Sequence, residues 1–294
     1  MPVRTVLCPT DFTPLSDRAV SLATRVCRWY GARLVLEHNL DARPPSFLSV
    51  EWMWSEEQES GDGARERAAE DHLRTEVERL AKQLPCEARL TRGPLELGLV
   101  AVARALSADL VVMGSHGWSG TGHHSLTERL VDSAPCPLLT LSHGTQAERF
   151  LSAAETEPVP VLVPLDLSPH SRATAADALE LLDRLPLRLH FLHVESPRFE
   201  TGEAVADFGR LEGLVPAERR GQVALHIRSG RPVDQILAAA RDLDARLILM
   251  GSHGKGPLAR LLTGATAREI LHRAPCPVWF EPPVRARASW PMAG

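Results

Sequence analysis

The chain has 294 residues, 44% of them hydrophobic and 24% charged, which is the composition of a globular protein with room for two domains. Its formal net charge of −4 gives no positive field to attract nucleic acid, and no apolar run is long enough to span a bilayer. Five scattered cysteines without a Cys-x-x-Cys pair exclude a zinc ribbon and a thioredoxin-type site. The cysteine pattern and an N-terminus that lacks a signal peptide predict a cytoplasmic protein, while the net charge and the lack of a spanning run predict neither nucleic acid nor a membrane as a partner.

Short apolar runs alternate with helical patterns in the first half of the chain, which is the order expected of βαβ units and a parallel sheet. We expect five strands there, at Val3–Pro9, Arg33–His38, Cys86–Thr91, Leu110–Met113 and Pro137–Ser142. Apolar residues recur at helical spacing over Ser16–Tyr30, Ala64–Leu84, Leu95–Leu106 and Ser125–Asp132. Leu40–Gly63, with Trp52 and Trp54, is interpreted as a loop or short helix. His143–Pro158 has the weakest pattern and is interpreted as the linker.

The same order of elements restarts after this linker. Five further strands are expected at Val159–Pro164, Leu187–Val194, Gln222–Arg228, Leu247–Met250 and Pro277–Phe280. Helices are expected over Ser171–Leu185, Val233–Leu243 and Ala265–His272. Ser196–Arg220 contains glycine and proline, so the helix there should be reduced, and Glu281–Gly294 is interpreted as a frayed tail.

Two short motifs occur once in each half, so the sequence is a tandem repeat. Met-Gly-Ser-His-Gly occurs at Met113–Gly117 and Met250–Gly254, and Ala-Pro-Cys-Pro occurs at Ala134–Pro137 and Ala274–Pro277. A buried strand that runs into glycines and then into a helix presents bare backbone N–H groups to a phosphate. We predict a first domain over 1–145, a linker over 146–158, a second domain over 159–282 and a tail over 283–294.

The loops after the first and fourth strands of each half should meet at one edge of the sheet. Parallel sheets bind ligands beyond the carboxyl ends of their strands, where the strand order reverses. These loops carry Asp11 and Gly114 in the first half and Asp166 and Gly251 in the second. Each aspartate can also open the following helix as an N-cap or Asx turn, a role that is compatible with ligand contact.

These motifs resemble the universal stress protein family, in a tandem two-domain form, from Val3 to about Pro282. Val-x-x-Pro-x-Asp at Val6–Asp11 and Val161–Asp166, a Gly-x-Pro turn and the two repeated motifs carry the resemblance. It implies two tandem doubly wound α/β domains, each with a five-stranded mainly parallel sheet flanked by helices, packed as a pseudo-dimer. It also implies that the last strands pair, which would bring Pro137–Thr140 near Pro277–Phe280.

In family members that bind ATP, the loop reads Gly-x-x-Gly, nine residues, then Gly-Ser/Thr. The second half keeps this glycine spacing, but Ala265 replaces the hydroxyl residue. This removes one hydrogen bond to phosphate and weakens the free energy of binding by about 0.5–1.5 kcal/mol. By resemblance, Asp166 would meet the adenine or ribose, the Val194 backbone the adenine edge, and Met250–Gly254 the ribose and phosphates. The nucleotide-binding residues implied are Pro164, Leu165, Asp166, Val194, Met250, Gly251, His253, Gly254, Gly264, Ala265 and Thr266.

The first half departs further from the family pattern. Counting back from Ala-Pro-Cys-Pro, His124 stands in the place of Gly264, the loop is three residues shorter, and Asn39 replaces Val194. We interpret this site as degenerate, either closed or suited to a smaller ligand. Its weaker candidate residues are Asp11, Gly114, His116, Gly117 and Ser125.

The sequence assigns neither a catalytic residue nor a metal site. Gly-x-Ser-x-Gly, Walker A and His-Glu-x-x-His are all missing, and at most slow ATP hydrolysis is left open. The histidines of the first loop, His116, His123 and His124, have no spacing that enforces tetrahedral ligation. His190 and His193 are an odd number of residues apart on a strand and should point to opposite faces.

The resulting hypothesis is a universal stress protein with a regulatory or protective role, which binds ATP, with or without Mg²⁺, mainly through its second domain. An unidentified protein partner and a homodimer are both left open. The alternative is an interaction or scaffold protein of the same fold with vestigial sites, favoured by Ala265, His124 and the short first loop.

Overall fold

A computed structural model describes residues 3–40, 62–115, 126–142, 144–153, 158–195, 209–252 and 265–282. The chain divides into two compact units, residues 2–114 and residues 115–294. In both units a mostly parallel sheet is flanked by helices, so the predicted α/β class is confirmed. None of the helices in these ranges is apolar over enough of its length to cross a bilayer.

The described part of unit 2–114 contains a parallel four-stranded sheet in the order β3-β2-β1-β4. The strands are β1 (Thr5–Pro9), β2 (Arg33–Asn39), β3 (Cys86–Thr91) and β4 (Leu110–Gly114). The helices are α1 (Pro14–Tyr30), α2 (Asp62–Leu80) and α3 (Leu95–Ala105). The side chain of Thr13 accepts the Ser16 N–H to begin α1, and Gly31, in the left-handed conformation, ends it.

The described part of unit 115–294 contains six strands in the order β5-β10-β9-β6-β7-β8. The strands are β5 (Leu138–Leu141), β6 (Val159–Pro164), β7 (Leu187–Glu195), β8 (Val223–Ser229), β9 (Leu247–Gly251) and β10 (Val278–Glu281). The helices are α4 (Leu126–Ser133), α5 (Gly144–Ala153), α6 (Pro169–Leu181), α7 (Pro232–Asp242) and α8 (Ala265–Arg273), with a 3-10 helix at Ala217–Gln222. β5 and β10 pair antiparallel, and the other neighbours pair in parallel.

The strand order places a switch point in each unit. From β6 the chain proceeds outward to β7 and β8, and then returns to place β9 on the other side of β6. Similarly, β2 and β3 lie on one side of β1 and β4 on the other. Connections that leave two neighbouring strands in opposite directions open a crevice at their carboxyl ends. The loops predicted to carry function follow these strands.

The antiparallel pairing of β5 with β10 confirms the expected contact between the last strands of the two repeats. Leu139 pairs with Trp279, and Leu138 pairs with Phe280 while Thr140 pairs with Val278. Residues of the second copy follow their counterparts by 140 positions here, as Ala274 follows Ala134, so Leu139 and Trp279 are equivalent. Equivalent residues therefore exchange places across the pair, which is the reciprocity of an isologous interface.

The predicted linker, His143–Pro158, does not lack regular structure throughout, because it contains helix α5. Ala147 and Phe150 are buried, and the Gln146 side chain donates to the Ala274 carbonyl at 2.8 Å and accepts the Ser142 N–H at 2.8 Å. These partners are distant in sequence or lie beyond the helix, so the local pattern alone does not reveal the helix. The tryptophans of 40–63 and residues 283–294 fall outside the described residues, whereas Glu281, predicted to begin the frayed tail, ends β10 and is buried.

His190 and His193 lie on opposite faces of β7, as predicted. His193 Nδ1 is 2.7 Å from the Leu165 carbonyl oxygen, whereas His190 Nδ1 is 3.1 Å from Nε2 of His226 on β8. Burial lowers the pKa of His190 and His226 below the usual 6.5; His226 and Arg188 lower that of His190 further, as Arg228 does for His226. Both shifts favour the neutral form of the pair in the folded protein.

This pair should make the fold less stable in acid. Because the folded-state pKa of each histidine lies below its unfolded value, the stabilisation is fully present above pH 6.5 and is lost as the pH falls below it. We expect the urea midpoint to fall between pH 7.5 and pH 5.5, and to fall less in a His190→Asn, His226→Gln variant. Equal losses in both proteins would contradict this assignment.

Candidate functional site

Six of the described candidate residues of the second repeat lie at the carboxyl edge of β6, β7 and β9. Pro164 ends β6, and Leu165 and Asp166 follow it, while Met250 and Gly251 end β9. β9 pairs with β6 on one side, and β7, which carries Val194, pairs with β6 on the other. The loops expected to hold a ligand thus leave adjacent strands at the switch point.

Asp166 is half-buried and shapes the turn that opens α6. One of its carboxylate oxygens accepts the Ser168 N–H at 3.0 Å, and Leu167 between them has a left-handed φ of 60°. Ser168 then caps α6 by accepting the Ser171 N–H at 3.2 Å. The Asx-turn role left open for Asp166 is therefore real. A carboxylate offers about four acceptor positions, so this turn does not preclude ligand contact.

A buried histidine fixes this loop in each repeat. Leu165 donates its N–H to the Leu192 carbonyl at 2.8 Å, and Nδ1–H of His193 donates to the Leu165 carbonyl. In the first repeat, His38 Nδ1 lies 2.8 Å from the Thr10 carbonyl oxygen in the same way. The matching bonds make the two histidines structural equivalents, so Asn39 stands where Val194 stands, as the sequence predicts.

Gly251 packs against the first turn of α6. A Cβ built on Gly251 would lie 2.5 Å from His170 Nε2 and 3.4 Å from Thr174 Oγ1. The following residue, Ser252, donates its N–H to the Glu281 carbonyl of β10 at 3.0 Å. A side chain at this position would therefore require the His170 imidazole or the loop to shift, and the contact holds the loop after β9 against the helix that follows Asp166.

The other candidates of the second repeat are less constrained. Val194 is half-buried and aligned with Arg228 of β8, and Met250 is buried. Ala265 and Thr266 begin α8, the first exposed and the second half-buried. His253, Gly254 and Gly264, together with His116, Gly117 and Ser125 of the first repeat, lie outside the described residues, so their roles stay predictions.

In the first repeat, the loops occupy the same places but differ in chemistry. Asp11 accepts the Thr13 N–H at 3.1 Å and the Thr13 hydroxyl at 2.6 Å. Phe12, also left-handed, stacks its ring on His38 at 4.3 Å. A Cβ on Gly114 would lie 2.8 Å from Cγ of Leu15, the residue equivalent to His170. The first loop therefore packs against an apolar side chain where the second packs against an imidazole.

A buried polar cluster, formed by Glu37, Asn39 and Thr91, further distinguishes the first repeat. The Glu37 carboxylate accepts the Thr91 hydroxyl, and burial raises the pKa of Glu37 although this hydrogen bond lowers it. Asn39 donates to the Gly93 carbonyl at 3.3 Å. The second repeat has Leu192 in place of Glu37. Sequence reasoning missed this cluster, although a glutamate inside an apolar strand was a signal.

Comparison with known proteins identifies the family. A model of the universal stress protein family matches residues 2–142 and again residues 160–280. A universal stress protein of Mycolicibacterium smegmatis is 27% identical over 296 residues, covering 93% of this chain and 95% of that protein. One from Thermus aquaticus is 33% identical over 134 residues, covering 40% of this chain and 94% of that protein.

Solved structures agree on the fold. The crystal structure of a universal stress protein from Archaeoglobus fulgidus DSM 4304 is similar with a TM-score of 0.73 at 20% identity, over 96% of this chain and 99% of that one. A universal stress protein structure from Pseudomonas aeruginosa UCBPP-PA14 has a TM-score of 0.64 at 16% identity, over 97% and 95%. With two matches of the family model that together span most of the sequence, the chain belongs to the universal stress protein family and carries two copies of its domain in tandem.

Proposed function

We propose that this protein binds an adenine nucleotide, ATP with or without Mg²⁺, mainly through its second repeat, and that binding serves a regulatory or protective role. The observation that carries the proposal is the position of Gly251. This glycine ends β9 at the switch point, lies where a Cβ would meet the His170 imidazole of α6, and ends the strand beside the one that leads into Asp166. A loop that leaves the end of a parallel strand at such a place, from a residue without a Cβ, suits an anion.

In this proposal the residues divide between the two ends of the nucleotide. Asp166 and the Val194 backbone bind the ribose and adenine, and the loop that begins at Gly251 binds the phosphates through backbone N–H groups. Gly254, Gly264 and Thr266 continue the phosphate site toward α8. The first repeat, with its polar cluster and Leu15 against Gly114, contributes little to nucleotide binding. Nucleotide binding would change the conformation of the loops, and an unidentified protein partner would recognise that change.

Mass spectrometry of small molecules released from the denatured full-length chain tests the proposal. We expect one adenine nucleotide per chain, and binding of added ATP by the stripped protein in calorimetry. Two nucleotides per chain would mean that the first repeat is not degenerate. None, together with no heat on addition of ATP and Mg²⁺, would favour the scaffold alternative.

Asp166→Asn should weaken ATP binding by about 10–100-fold, since hydrogen bonds to a charged group contribute about 1.5–3 kcal/mol. Asparagine retains an acceptor for the Ser168 N–H, so the turn into α6 should survive. The matched control is Asp11→Asn, which changes the equivalent turn of the first repeat and should leave ATP affinity unchanged. Equal losses in both variants would contradict the assignment to the second repeat.

A further inference from the structure

The helices that precede the paired strands β5 and β10 also meet. Within the described part of unit 115–294, Glu128 of α4 reaches across to α8. Its Oε1 lies 2.5 Å from His272 Nε2, and its Oε2 lies 3.8 Å from Arg268 Nε. The Glu128 and His272 side chains are only 11% and 12% exposed. This acidic-on-basic contact is therefore largely shielded from water.

The contact joins positions that carry opposite charges in the two repeats. With the 140-residue offset, Glu128 is equivalent to Arg268, and Asp132 is equivalent to His272. The first repeat is thus acidic at both positions, and the second repeat is basic at one and carries an imidazole at the other. A surface that is acidic at both positions cannot pair its charges with those of its own copy in an isologous interface, because the copy is acidic at the same positions.

The reciprocal register of β5 and β10 defines what a pairing of like repeats would bring together. In a pair of two first repeats, Glu128 would face the Glu128 and Asp132 positions of the other copy. In a pair of two second repeats, Arg268 and His272 would face each other. Like charges a few ångströms apart in a poorly hydrated place repel strongly, and such repulsion is an effective means of rejecting a wrong partner.

We propose that the α4 surface formed by Glu128 and Asp132 fits the α8 surface of a second repeat, Arg268 and His272, and rejects another first repeat. The charge of Arg268 is permanent, and the imidazole of His272 donates Nε2–H to the carboxylate whether it is neutral or protonated. The chain thereby specifies which of its two similar domains pair. This inference is independent of nucleotide binding.

Charge reversal in the full-length chain tests the proposal through thermal unfolding followed by circular dichroism. Glu128→Arg imposes the like-charge arrangement, and we expect the midpoint to fall by about 5–10 °C. Glu128→Gln removes the attraction without adding repulsion, so its midpoint should lie between those of Glu128→Arg and the wild type. Arg268→Glu with His272→Glu should lower the midpoint from the other side.

The decisive protein combines four reversals, Glu128→Arg, Asp132→Arg, Arg268→Glu and His272→Glu, so that both positions on each helix change sign. This protein should recover most of the loss in thermal midpoint, since charges of opposite sign again face each other. The matched control is the exposed pair Glu66–Arg92, 3.0 Å apart, in which Glu66→Arg should change the midpoint little. If Glu128→Arg unfolds like Glu128→Gln, or if the combined protein is no more stable than either partial reversal, charge does not specify the pairing.

Discussion

Replacing Gly251 with valine is expected to abolish ATP binding by the second repeat, with a loss of affinity of more than about 100-fold. The valine Cβ would lie 2.5 Å from His170 Nε2, and its two methyl groups would add further volume at this contact. Either the imidazole or the loop must then move. A loop that moves away from α6 no longer aligns its backbone N–H groups with a phosphate, which is the arrangement the proposed site depends on.

The cost to folding should be moderate, about 1–3 kcal/mol, because a local shift of the loop after β9 can relieve the overpacking. Calorimetry with ATP and urea unfolding therefore separate the two effects. Gly114→Val is the matched control, since it forces the equivalent clash against Leu15 in the first repeat. It should destabilise the protein similarly while leaving ATP binding intact.

Removing the obstacle gives a second check on Gly251. In a Gly251→Ala background, His170→Ala should restore stability, since the atoms within 2.6 Å of the new Cβ both belong to the imidazole. If Gly251→Val bound ATP as tightly as the wild type, the phosphates would not lie on this loop and the proposed function would lose its main support.

The sequence predicts the strands well because each is a short apolar run between turn residues. Every predicted strand is present, with ends displaced by at most two residues, and the turns at Asp11 and Asp166 follow from side chains that bond to nearby backbone groups. Helix α5 was missed because it is stabilised by a contact distant in sequence, from the Gln146 side chain to the Ala274 carbonyl, which no local pattern contains.

The features that sequence reasoning missed at the site depend on distant contacts. His170 and Gly251 are 81 residues apart, and nothing in the sequence near either one indicates that they touch. The same is true of Glu128 and His272, although aligning the two repeats shows the charge reversal once the α4–α8 contact is known. Periodicity and motifs in the sequence locate the loops, whereas only the tertiary structure shows which side chains pack against them.

Trp279→Ala is expected to destabilise unit 115–294 by about 3–5 kcal/mol, the usual range for removing a large buried aromatic side chain. Trp279 is 6% exposed in the centre of β10, between Leu139 of β5 and Leu249 of β9. Its Nε1–H donates to Glu281 Oε1 at 2.8 Å inside the protein. Both the cavity and the lost hydrogen bond contribute to the cost.

Urea unfolding at fixed pH measures this effect, and two further variants apportion it. Trp279→Phe retains most of the packing and should lose only about 1–3 kcal/mol, the hydrogen bond to the buried carboxyl being the main loss. Leu97→Ala changes an apolar side chain that is 68% exposed and should stay within about 0.5 kcal/mol of the wild type.

The position of Trp279 also ties the junction of the repeats to the proposed nucleotide site. The Glu281 carbonyl at the end of β10 accepts the Ser252 N–H, so β10 anchors the loop that begins at Gly251. Displacement of β10 should therefore weaken ATP binding as well as the fold, although Trp279 lies within the sheet rather than in the loop. A Trp279→Ala protein that stays folded and binds ATP with full affinity would mean that the loop keeps its geometry without this strand.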